Sequence, residues 1–176
     1  MWQDVIISIR QFEKRDIPKK VEWINNPENN RYLHYDLPLQ ADKTELWFDR
    51  NRGRTDRYDA VIEADGVPVG LIGLLSIDRK CGKAEYYIAM GESTYKGRGV
   101  AKEASRLLLA YGFEGLGLNR IYLYTETGNI AAQRLFERLG FQREGCLRGD
   151  VLSRGQVVDR YVYGLLREDW SKTHGA

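Results

Sequence analysis

Hydrophobic and polar positions repeat along this chain with two different periods, and the points where the period changes divide it into elements. Val5 to Phe12 alternates with the period of two that a half-buried strand requires, whereas Lys14 to Asn26 sets Ile17, Val21 and Ile24 on one face of a helix, with Pro18 suited to its first turn. A second helix is predicted around Asp42 to Asn51. Tyr58 to Ala64 and Val67 to Ile77 read as strands joined by Asp65-Gly66, a two-residue hairpin turn, and Lys83 to Met90 as a further strand. Val100, Ala104, Leu107, Leu108 and Tyr111 then recur at steps of three and four, predicting a helix whose end is marked by Gly112, Gly115 and Gly117. In Asn119 to Glu126, Ile121, Leu123 and Thr125 alternate with Tyr122, Tyr124 and Glu126, which suits a strand. Asn129 can cap a short helix that places Ala132, Leu135, Phe136 and Leu139 on one face and stops at Gly140. Gln142 to Leu152 and Gln156 to Leu166 close the pattern as a hairpin turning on Arg154-Gly155, and Ser171 to Ala176 is expected to fray. Strands alternating with helices indicate an α/β (α+β) domain with a mixed, twisted sheet.

Composition narrows this picture. At 176 residues, 43% hydrophobic and 30% charged, the chain suits one domain over residues 1–176 with a full core, and no repeat, low-complexity run or linker divides it. A net charge of +2, with acids and bases interleaved, gives no field for a nucleic-acid partner. No apolar run is long enough to span a bilayer and no leader is evident, so no membrane partner is expected and the cytoplasm is the expected location. Cys81, Cys146, His34 and His174 lack metal-ligand spacing; no metal is expected, and the thiols read as reduced packing residues.

The chemistry concentrates in Tyr95-Lys96-Gly97-Arg98-Gly99-Val100-Ala101, a glycine-rich basic turn that leads straight into a helix. Small residues let the backbone approach a phosphate, and the unpaired N–H groups of the helix start, with its dipole, attract one. A plain surface turn is the alternative; the segments downstream weigh against it. A dinucleotide site is disfavoured because a complete Gly-x-Gly-x-x-Gly fingerprint is missing.

About thirty residues separate this turn from Asn129, Ala132, Phe136, Gly140 and Phe141. Together the two segments resemble the GNAT N-acetyltransferase superfamily, whose members move an acetyl group from acetyl-CoA to an amine. Its pyrophosphate-binding turn has Gln or Arg where Lys96 stands here. Trp23-Ile24-Asn25-Asn26-Pro27-Glu28 and Trp47-Phe48 are similar to the subgroup that acetylates ribosomal-protein alanine, spermidine or nucleotide-sugar amines. The resemblance implies a sheet splayed between the strand before the turn and the strand after its helix, with acetyl-CoA entering that opening. Lys96, Gly97, Arg98, Gly99, Ala101 and Lys102 would then hold the pyrophosphate, and Asn129 and Phe136 would lie along the pantetheine arm. A backbone N–H near Ile88 to Met90 would meet the acetyl oxygen.

An alkylammonium has a pKa near ~10 and attacks only when neutral, so a base is needed. Glu85, on the strand before the turn, is the candidate; a solvated or arginine-paired glutamate is the other reading. Many relatives carry a tyrosine where this chain has Phe136, and phenylalanine cannot protonate a departing thiolate; Tyr86, Tyr87, Tyr122, Tyr124 and Tyr161 remain as possible donors. That departure keeps open a noncatalytic acyl-CoA-binding or regulatory module. Acceptor choice is expected in the connection from Asn26 to Leu39, through Tyr32, His34 and Tyr35, and in the hairpin from Gly145 to Asp159, through Arg148 and Asp159, each of which could instead serve in packing or a salt link. The acceptor would be a small-molecule amine, an amino sugar or a protein N-terminus, and the resemblance leaves room for a homodimer.

Overall fold

The computed structural model of the chain describes residues 4–174. Seven strands, β1 (Ile7–Gln11), β2 (Tyr58–Ala64), β3 (Val67–Asp78), β4 (Lys83–Met90), β5 (Arg120–Glu126), β6 (Gln142–Ser153) and β7 (Gln156–Leu166), form one sheet in the order β1-β2-β3-β4-β5-β7-β6. Neighbours are antiparallel except β4 and β5, which run parallel. Parallel strands need a crossover, and here it carries helix α4 (Val100–Ala110). The mixed α/β sheet read from the sequence is therefore the fold. The other helices are α1 (Ile17–Asn25), α2 (Pro27–Asn30), α3 (Ala41–Asn51), α5 (Ile130–Arg138) and α6 (Arg167–His174).

Strand alternation sorts the sheet's side chains into two layers. On one face Ala60, Ile62, Ile72, Leu74, Tyr86 and Leu123 pack with α4, with Phe136 of α5 and Leu139 just beyond it, and with Trp170 of α6. On the other, Val61 and Leu71 pack with Phe12, Ile17, Trp23 and Ile24 beneath α1 and α3, with Tyr87 and Ala89 beside them. Glu85 therefore points toward the α1/α3 side, as alternation predicts.

The hairpin turn at Asp65-Gly66 has positive φ at both residues, 50° and 79°, the pair of values a two-residue turn needs to match strand twist. Three expectations change. Gly112 does not end the helix: α4 continues as a π-helical turn over Tyr111–Gly115, and a Cβ on Gly112 would lie 2.8 Å from Ile121 Cδ1, so this glycine lets the turn press on β5. Cys81 and Cys146 are exposed rather than packed, one in the turn between β3 and β4, the other on edge strand β6, where no second layer covers them. The tail expected to fray is helical through His174, and residues 175–176 lie outside the described residues.

Tyr87 lies across Gly73 of β3 to reach Asp59 of β2. A Cβ at Gly73 would meet the Tyr58 carbonyl oxygen at 2.4 Å and the Tyr87 ring at 2.5 Å, and the backbone oxygen cannot give way cheaply. Gly73→Ala should therefore destabilise the protein by about 1–3 kcal/mol, the usual cost of overpacking. Urea unfolding measures it; an unchanged midpoint would mean that Tyr87 relocates without cost.

Candidate active site

The parallel seam between β4 and β5 is short. Lys83, Ala84 and Glu85 pair with Arg120, Ile121 and Tyr122, and there the pairing stops. Beyond it β4 stays paired with β3 as far as Met90, and β5 with β7 as far as Glu126, so the sheet opens into two arms. The Gly91 N–H donates to the Val69 carbonyl at 2.8 Å, which fixes the alternation on β4. Ala89 and Tyr87 direct their N–H groups at β3, and Ile88 and Met90 direct theirs into the opening.

The glycine turn stands at the mouth of this opening. Gly97 and Gly99 both have φ of 77°, and Gly99 is the N-cap of α4. The Glu103 N–H donates to the Gly99 carbonyl at 3.0 Å, which leaves the N–H groups of Val100, Ala101 and Lys102 directed out of the helix start, where an anion is favoured. The turn is fastened to neighbouring elements. Lys96 Nζ donates to Asn29 Oδ1 at 3.2 Å, the Asn29 amide donates to the carbonyls of Trp23 and Gly91 at 3.1 and 3.0 Å, and Trp23 Nε1 donates to Glu92 at 2.9 Å. Arg98 has its guanidinium 5.9 Å from the Tyr95 ring. Across the opening, Asn129 caps α5 by accepting from the Ala132 N–H at 3.3 Å.

A family model described as "Acetyltransferase (GNAT) domain" matches residues 7–142. The chain belongs to the GNAT acetyltransferase family. It is an N-acetyltransferase that uses acetyl-CoA as cosubstrate and an amine as acceptor. The spermidine N(1)-acetyltransferase of Escherichia coli (strain K12) is 30% identical over 85% of this chain and 80% of its own length. The prophage-derived YokL of Bacillus subtilis (strain 168), named as an uncharacterized N-acetyltransferase, is 32% identical over 99% of this chain and 97% of its own. Among solved structures, a spermidine N-acetyltransferase from Vibrio cholerae in complex with CoA and spermine superposes with a TM-score of 0.87 at 25% identity, covering 93% of this chain and 97% of that one.

Within this GNAT domain Glu85 occupies the last paired position of the seam, at the vertex of the opening. Burial raises its carboxyl above the ordinary carboxylate value, and the positive field of Arg160 opposes the rise. Arg160 is itself held at 2.7 Å by Asp150 and lies 4.8 Å over the Tyr124 ring. Phe136 is only 5% exposed and stands edge-on to Tyr86, 5.7 Å between ring centres. Tyr86 in turn shares a 2.7 Å hydrogen bond with Ser105 of α4, and burial pushes its phenol far up. Both rings thus sit in the core layer under α4, on the opposite face from Glu85.

The residues assigned to the acceptor divide. Tyr32 donates to the Gly128 carbonyl at 3.0 Å, and His34 lies 2.8 Å from Glu126. Tyr35, 36% exposed, turns its ring toward Lys20, Arg57 and Asp59. Asp159 accepts from the Gly149 N–H at 2.7 Å and pins the irregular stretch of β6 between Leu147 and Val151, a backbone bond in place of a salt link; Arg148 is exposed in that same stretch. Three participants escaped the sequence reading. Glu126 meets His34 and accepts from Ser153 of a separate strand, and Lys20, 7% exposed, lies 3.4 Å over the Trp47 ring with burial lowering its ammonium to about 8. Only the alternation of Glu126 with the β5 core residues hinted at its direction.

Two expectations follow. A carboxyl whose folded value is raised leaves the fold most stable while protonated, and that stability is lost as pH climbs from the ordinary carboxylate range through the raised value. Replacing Glu85 by Gln should therefore shift the melting temperature more favourably at about pH 7 than at about pH 4, read by calorimetry; a pH-independent shift would place Glu85 in solvent. Gly99→Val forces a β-branched residue into left-handed backbone and disturbs the helix start, so acetyl-CoA should bind at least ~10-fold more weakly by titration calorimetry, with circular dichroism unchanged. Equal affinity would remove the helix start from the cofactor site.

Proposed function

We propose that the acceptor is the primary amine of a small extended molecule and that Glu85 takes the proton this amine must lose. The position of Glu85 at the vertex of the opened sheet carries the reading: on β4 it is three residues before Ile88, whose N–H points into the same opening. Acetyl-CoA supplies the activated acetyl group. The unpaired N–H groups of Val100, Ala101 and Lys102, with Lys96, Gly97, Arg98 and Gly99, suit its pyrophosphate, and Asn129 stands at the start of α5 on the opposite arm, where it suits the pantetheine arm. The N–H groups of Ile88 and Met90 are placed to donate to the acetyl oxygen as negative charge develops there, which is worth most from donors already fixed in a strand.

An amine of pKa near ~10 is protonated at neutral pH, so attack waits on deprotonation. Burial makes the Glu85 carboxylate a stronger base than an exposed glutamate, the direction general-base catalysis needs. Phe136 has no proton to give, and with a thiol reference value near ~8.5 none is required for departure near neutral pH. Tyr86 and Tyr87 spend their hydroxyls on Ser105 and Asp59.

A small amine fits this site better than a protein N-terminus, because residues 32–35 cross the Glu85 side and narrow the approach. Relatives named for spermidine, from Escherichia coli and Vibrio cholerae, and the solved complex with CoA and spermine, support the same class. No helix among the described residues is long and apolar enough to cross a membrane, and two exposed free cysteines accord with a reducing, cytoplasmic setting.

Glu85→Gln should lower kcat by roughly ~10²-fold while the Michaelis constant for acetyl-CoA stays within about twofold, measured by thiol release with spermidine, glucosamine and an alanyl peptide as acceptors. A turnover rate equal to the parent's across the pH range would assign deprotonation elsewhere.

A further inference from the structure

Consecutive side chains of the connection between α2 and α3 grip opposite arms of the opened sheet. His34 Nε2 lies 2.8 Å from Glu126 Oε2 at the end of β5, and the same oxygen accepts from Ser153 Oγ, at the tip of β6, at 3.0 Å. Tyr32 adds a bond to the Gly128 carbonyl just beyond β5. The next residues turn to the other arm. Leu33 packs into the layer beneath α1 and α3, and the Tyr35 ring lies 5.8 Å from Lys20 Nζ with its phenol facing the charges of Arg57 and Asp59 on the β2 side.

Glu126 belongs to the same face of β5 as Tyr122, which pairs beside Glu85, so this strap crosses the face on which Glu85 lies. Glu126 lies four positions beyond Tyr122, about 13 Å along a strand, which sets the strap near the mouth and Glu85 at the vertex. The Glu126 side chain is 8% exposed and the imidazole 28%. A carboxylate this buried needs its donors, and one of the two comes from a residue ninety-two positions away in sequence. Without that bond the strap keeps its grip on one arm and loses much of its grip on the other.

We infer that His34 and Glu126 act as a single positioning couple that holds the acceptor-side strap across the opening, and that His34 governs amine affinity through this bond. The inference rests on the amine entering from the Glu85 face. It makes His34 a positioning residue, whose imidazole is engaged by protein before any acceptor arrives. It also assigns Glu126 and Ser153, contributed by β5 and the β6 tip, to the wall that selects the amine.

Hydrogen exchange of the full chain reads the strap without an acceptor. His34→Ala, Glu126→Ala and the double variant should each lose protection over residues 31–37 to the same extent, with β5 protected as in the parent. Kinetics then use whichever of spermidine, glucosamine and an alanyl peptide the parent acetylates fastest. Each single variant should raise the Michaelis constant for that amine roughly tenfold, the scale of one hydrogen bond to a charged group, and leave that for acetyl-CoA within about twofold. The double variant should be no worse than either single one, and His34→Gln, which keeps a donor where Nε2 stands, should recover most of the loss. Unchanged exchange, additive kinetic losses, or a Gln variant as poor as Ala would overturn the inference, the last by assigning the imidazole to the amine itself. The outcome separates from that for Glu85: loss of the base lowers kcat, whereas loss of the couple raises the amine Michaelis constant.

Discussion

The β4–β5 seam is held by three residue pairs, and every feature of the candidate site depends on its stopping there. Had the two parallel strands paired along their length, the N–H groups of Ile88 and Met90 would be spent on β5 and the sheet would be closed. Open backbone at the centre of a sheet is costly unless something satisfies it. The fold bears this because each arm is complete on its outer side, β4 against β3 and β5 against β7. The same break sets Glu85 at the vertex of the opening, where burial raises its carboxyl.

A second constraint keeps the cofactor turn in register with the opening. The stretch Asn25-Asn26-Pro27-Glu28-Asn29-Asn30 is polar, yet its asparagines bond chiefly to backbone. Asn25 exchanges bonds with Leu39, Asn26 caps α2, Asn30 reaches Ile24, and Asn29 joins Trp23 to Gly91 while accepting from Lys96. Gly91 has the Trp23 ring where a Cβ would stand, so α1 and the end of β4 meet at closest approach. The basic turn is thus bound to the strand whose amides face the opening, so that the proposed phosphate and acyl sites belong to one rigid unit.

Local features were legible in the sequence because they are local. The periods of two and three to four gave the strands and most helices, Asn129 capped its helix as expected, and the glycine turn met a helix start. The family resemblance followed from the same segments. What could not be read depends on register between distant segments. The point where β4 leaves β5 has no signature in either strand, the partnership of His34 with Glu126 spans ninety-two residues, and Gly112 looked like a stop because its packing against Ile121 is tertiary. Helix α6 carries one buried apolar side chain, Trp170, in an otherwise polar run, too little for a periodic signal. Phe136, judged by its missing hydroxyl, proves to be chiefly a core ring.

On the proposed reading, the amides left unpaired by the short seam and those at the start of α4 hold one cosubstrate between them. Amide chemical shifts recorded by NMR during titration with acetyl-CoA test it most directly. Ile88 and Met90 should shift together with Val100, Ala101 and Lys102, at one common dissociation constant, while β1 and the outer end of β6 stay still. Shifts confined to the helix start, with Ile88 and Met90 unmoved at saturation, would contradict it.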